Sequence, residues 1–109
     1  MKQLFLAAAI AAVPFAAPAQ QMGHDAMTGD AMMKAHQKMM EAMQAVQPTG
    51  DVDRDFVLMM IPHHQGAIDM AKAELEHGKD ETLRAMAEAI VSAQEKEIGE
   101  MEAWLKANP

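Results

Sequence analysis

The side chains with most chemistry to offer crowd into one stretch, Met59-Met60-Ile61-Pro62-His63-His64-Gln65-Gly66-Ala67-Ile68-Asp69-Met70. Imidazole nitrogen and thioether sulfur, without thiolate or clustered carboxylate, form a donor set that favours Cu(I), with Ag(I) as its mimic, over Zn(II), Mg(II) or Ca(II). Helical spacing would gather them: Met59 precedes His63 by four residues, Met60 precedes His63 by three and His64 by four, and Met70 follows His63 by seven, which sets them along one broad face. A single His on an apolar face is commonly a hydrogen-bonded core residue, and Met fills gaps readily. Two adjacent His bracketed by three Met go beyond that pattern.

A second concentration precedes it. Between Gln20 and Asp55 there is no Leu, Ile or Phe, while Met22, Met27, Met32, Met33, Met39, Met40 and Met43 are all present. A helix that only needed to pack would use Leu, which has similar volume and better-defined rotamers. His36 stands among Met32, Met33, Met39, Met40 and Met43 at helical steps of three, four and seven. His36, Met33, Met40 and Met43 therefore join Met59, Met60, His63, His64 and Met70 as candidate metal ligands. His24 and Met27 form a further i,i+3 pair. A His-rich portion would also accept Cu(II), and the thioethers would favour the reduced ion.

Positioning these groups requires helices. Asp30 is a suitable N-cap for a helix to about Val46, stopped by Pro48-Thr49-Gly50; a second runs from about Asp53 to His77, with Gly78 as its C′ residue; a third follows Asp80 to about Ala107. No window alternates with period two, so the chain is read as all-α, an antiparallel helical bundle. Pro62 cannot donate to the Leu58 carbonyl, and a kink or irregularity is expected there. In the third helix Leu83, Met86, Ala87, Ile90, Gln94, Glu97, Ile98, Met101, Trp104 and Leu105 recur at steps of three and four, marking the core-facing side. Gln94 and Glu97 are polar members of that stripe. Buried without partners they would cost on the order of 1–3 kcal/mol each, so either the bundle or a nearby cation satisfies them, or Glu97 reaches water from the stripe's edge.

The remaining segments read as processing signals and exclusions. Lys2, the apolar run Leu4 to Val13 and Ala17-Pro18-Ala19 have the form of a cleavable signal peptide, 1–19, with cleavage before Gln20. The run is too short for a membrane span, so the mature chain is expected in the periplasm or secreted, with 20–29 a flexible lead-in and 30–107 the bundle domain. The 109 residues limit the chain to one compact domain. With no Cys there is no disulfide framework or thiolate site, and in an oxidising compartment a soft metal would need other ligands. A net charge of −7, one unit more negative once Lys2 leaves, argues against nucleic acid and for cations. Ser92 is the only serine, it has no supporting His or Asp, and no Gly-rich phosphate loop occurs, so no enzyme is expected.

Phe56, Met60-Ile61-Pro62-His63-His64, Ala67-Ile68 and Met70-Ala71, followed by Ile90, Gln94, Glu97-Ile98, Met101 and Trp104-Leu105, resemble the signature of the domain of unknown function 305 family. That family belongs to the ferritin-like helical proteins and includes exported copper-binding proteins of the CopM type. The resemblance spans about Asp53 to Lys106. It implies a helical bundle in periplasmic copper handling and marks Met60, His63, His64, Met70 and Met101 as the functional set. Gln94 and Glu97 would support those ligands. Three helices are few for a complete four-helix bundle, so self-association is expected.

The expected function is binding Cu(I) to buffer, sequester or transfer it, with another copper-handling exported protein as a possible partner. The alternatives are an interaction module whose Met face grips a partner helix, a ferritin-like di-metal enzyme, for which only Glu74 and His77 have the needed spacing, and an oxidant sink working through Met sulfoxide.

Overall fold

In the computed structural model, residues 24–109 are described, with side chains from Asp30 onward. The segments expected to be a signal peptide, its cleavage site and the start of the lead-in lie outside the described residues. Three helices follow in order: α1, His24–Gln44; α2, Val52–His77; and α3, Glu81–Ala107. The chain is an all-α antiparallel bundle. Among the described residues there is no strand, and no helix is long and apolar enough to cross a membrane.

Local chemistry sets the helix ends. Asp51 caps α2 by accepting from the amides of Asp53 and Arg54 at 3.0 and 3.2 Å, and Asp80 caps α3 by accepting from that of Leu83 at 2.9 Å. The α1–α2 turn is braced by Asp55, whose carboxylate accepts from the Thr49 hydroxyl at 2.6 Å and the Thr49 amide at 2.7 Å. These bonds, the hydroxyl foremost, hold the Asp55 carboxyl below the usual carboxylate range. Gly50, at φ 87, supplies the left-handed residue of that turn. Arg84 ties α3 to the end of α2, donating to the carbonyls of Leu75 and Gly78 at 2.6 and 3.0 Å.

Two expectations about ends are corrected. Helix α1 begins at His24 rather than after Asp30, so 24–29 belongs to a helix and not to a lead-in. Asp30 is an interior residue paired with Lys34 at 2.9 Å, and the helix accommodates Gly29 at a propensity cost of about 1 kcal/mol. Gly78 ends α2 in extended conformation, φ −71 and ψ 153, instead of the left-handed one, its N–H bonding to the Glu74 carbonyl. Helix α2 continues unbroken through Pro62.

Helix α2 is the centre of the bundle, with α1 and α3 packed antiparallel against it. The buried apolar residues among those described are Ala35, Val57, Ile68, Ala71 and Ala87. Most are small, so the helices meet through close backbone approach and the larger side chains remain partly open. Gly66 is the clearest such contact: a Cβ there would lie 2.6 Å from Met39 Cβ and closer still to Met39 Cγ and Sδ. The missing side chain of α2 is thus the seat of a methionine of α1. The α3 stripe does not all face a core, since Leu83 and Met86 are 50% and 54% exposed. Among the described residues there is no fourth helix: α1 lies on one side of the α2–α3 pair and the other side is an open groove.

Candidate functional site

That groove begins where the start of α2 meets the end of α3. It has a volume of about 740 Å³ and is lined by Phe56, Val57, Met60 and His64 from α2 and by Glu97, Met101 and Trp104 from α3, with Asp53 and Glu100 at its margin. Apart from the adjacent pairs Phe56–Val57 and Glu100–Met101, the lining residues of each helix follow one another at steps of three and four, so each helix presents one face to the seam.

His64 is the polar residue buried here. Its Nε2 meets Glu97 Oε2 across the seam, while its Nδ1 is buried with no hydrogen-bond partner. The Glu97 side chain is 51% exposed, so this carboxylate stands at the mouth of the groove while the imidazole lies inside. A carboxylate accepting from Nε2–H holds the tautomer in which the free lone pair sits on Nδ1. Gln94, one turn before Glu97, also has a buried, unpartnered Oε1. These two orphaned atoms depart from the rule that buried polar groups find partners.

The sequence-predicted residues therefore divide. Met60, His64 and Met101 come together in the groove, with Glu97 bonded to His64 as a supporting residue. His63 does not join them: it is exposed, its ring centre 6.1 Å from that of His64 and its plane turned by 59°. Met70 lines the seam farther along, with Leu83, Met86 and Ile90. Met59 is half-buried and lines none of these pockets. On α1, His36 and Met40 are exposed, Met33 is 63% exposed, and Met43 is half-buried, so this cluster is a surface face separate from the groove. Among the described residues no three His, Asp or Glu side chains form a group that could hold a metal ion, and Glu74 and His77 have no second pair. Sequence reasoning did not single out Trp104 and Phe56 as site walls. Their signals were helical register with Met101 and Met60 and their place in the family resemblance.

Over residues 2–105 the sequence matches the family described as domain of unknown function (DUF305). The chain belongs to the DUF305 family. The DUF305 match takes in the Met-rich α1 as well as the Asp53 to Lys106 stretch that carries the resemblance. No curated protein matches this DUF305 chain.

Proposed function

We propose that this protein binds Cu(I) in the α2–α3 groove through His64 Nδ1, Met60 and Met101, and buffers, sequesters or transfers the ion. The observation that carries the reading is the buried His64 imidazole, oriented by Glu97 through Nε2 and left with an unpartnered Nδ1 in a groove that Met60 and Met101 also line. A ligating His characteristically gives its other nitrogen to a carboxylate, which fixes the ring and raises its basicity. The thioethers direct the choice toward a soft monovalent ion. His36, Met33 and Met40 on the open face of α1 would supply a weaker, exchangeable station where ions are captured or released. The sequence of the first twenty residues supports export, which would place this activity in the periplasm or outside the cell.

The test is titration with Cu(I) against a competing chelator, with far-ultraviolet circular dichroism to verify folding. The wild type is expected to bind more tightly than the micromolar range. His64→Ala, or Met60→Leu with Met101→Leu, should weaken the groove site at least about tenfold, while His63→Ala should leave it within about threefold. Wild-type binding no tighter than micromolar would defeat the reading. An unchanged site in the His64→Ala protein would defeat the assignment.

A further inference from the structure

The groove does not end at His64. Beyond it the same seam reopens as a pocket of about 300 Å³ lined by Ala67, Met70, Ala71 and Glu74 of α2 and by Leu83, Met86, Ala87 and Ile90 of α3. The α2 row from Asp53 to Glu74 would extend about 30 Å at the helical rise per residue. Each end of this trough carries exposed apolar side chains. Phe56, at 60% exposed, stands at one end, and half-exposed Leu83 and Met86 stand at the other. His64 stands at the waist with a buried Nδ1 that lacks a partner.

The charge along the trough has one sign. Asp53, Glu97 and Glu100 line the first part and Glu74 the second, and no Lys or Arg lines either. Lys96, which does not line it, lies 3.6 Å from Glu100. An apolar floor rich in Met, with carboxylates along it, is complementary to an amphipathic helix that carries Lys or Arg beside its apolar stripe. A second copy of this chain fits less well, because it would bring an acidic surface of net charge −7 against Asp53, Glu97 and Glu100.

We propose that the α2–α3 trough is a docking surface for a basic amphipathic helix of a partner protein. The partner's apolar residues would seat at the Phe56–Trp104 and Leu83–Met86 ends, and its cations would meet Asp53, Glu97, Glu100 and Glu74. This assignment rests on the shape and charge of the trough and does not depend on copper.

Trp104 is the only tryptophan of the chain and lines the trough, so its emission reports occupancy. The probe is a Trp-free Leu/Lys peptide of about 18 residues, near the length of the trough, with leucines at helical spacing; it is added to the copper-free protein. Saturable binding with a blue shift of Trp104 emission is expected. A scrambled peptide of the same composition and a Leu/Glu counterpart should bind at least about tenfold more weakly. Glu100→Lys, and separately the pair Leu83→Asn with Met86→Asn, should each reduce affinity about tenfold, whereas Glu95→Lys, the same charge change off the trough, should not. Equal binding of the scrambled peptide, or equal loss in Glu95→Lys, overturns the proposal. So does sedimentation of the protein alone as a dimer that the Leu83→Asn, Met86→Asn pair dissociates, since the occupant would then be a second copy. Because copper is left out, failure here leaves the Cu(I) titration to stand or fall separately.

Discussion

Gly66→Ala tests whether α1 is seated on α2 as described. The added methyl would stand 2.6 Å from Met39 Cβ and nearer still to Cγ and Sδ. Because the conflict includes Cβ, rotating the methionine tail cannot relieve it fully, and α1 must lift. Overpacking of this kind costs about 1–3 kcal/mol, while replacing Gly by Ala inside a helix returns up to about 1 kcal/mol of propensity. The expected balance is a loss of about 1–2 kcal/mol, or a fall in melting temperature of several degrees for a domain of this size. The assay is urea unfolding followed at 222 nm on the wild type, Gly66→Ala, Met39→Ala and the double variant. Removing the methionine tail leaves only Cβ to accommodate, so the double variant should be more stable than additivity allows by about 1 kcal/mol. If Gly66→Ala is instead stabilised by the propensity gain, with no coupling to Met39, the close approach of α1 and α2 does not exist.

Other outcomes follow from the same geometry. Glu97→Gln retains an acceptor for His64 but removes its charge, and should weaken Cu(I) binding about tenfold with helix content unchanged; Glu97→Ala should cost more, as measured by chelator competition. Asp55, held below the usual carboxylate range by Thr49, contributes stability that is complete above the carboxyl's unfolded value and is lost as pH falls through its folded one. Acid should therefore loosen the α1–α2 turn, and Thr49→Val should blunt the acid limb of a melting-temperature profile in this pH window.

How much of this was legible in the chain follows from which forces are local. The all-α class, the start of α3 after Asp80 and the span of α3 depend on neighbours within one turn, and side chains four residues away decide them. Helix α1 shows where that reasoning stops. Gly29-Asp30 has the form of a break and a cap, yet the helix runs through it, and Asp30 pairs with Lys34 one turn on instead of capping. The polar members of the α3 stripe were visible as an anomaly. That Glu97 would meet His64 while Gln94 Oε1 found no partner was not, because those contacts cross between helices.

The sequence by itself determined the inventory and its periodicity: imidazoles and thioethers at helical spacing, acidic charge, no thiol and three helical segments. Tertiary structure decided which histidine turns inward. Adjacent residues of a helix point about 100° apart, so His63 and His64 cannot both face one seam, and the position of α3 selected His64. It also decided that Leu83 and Met86, in register with the core, remain open. Burial depends on how many helices arrive, and here α1 covers only one side of the α2–α3 pair.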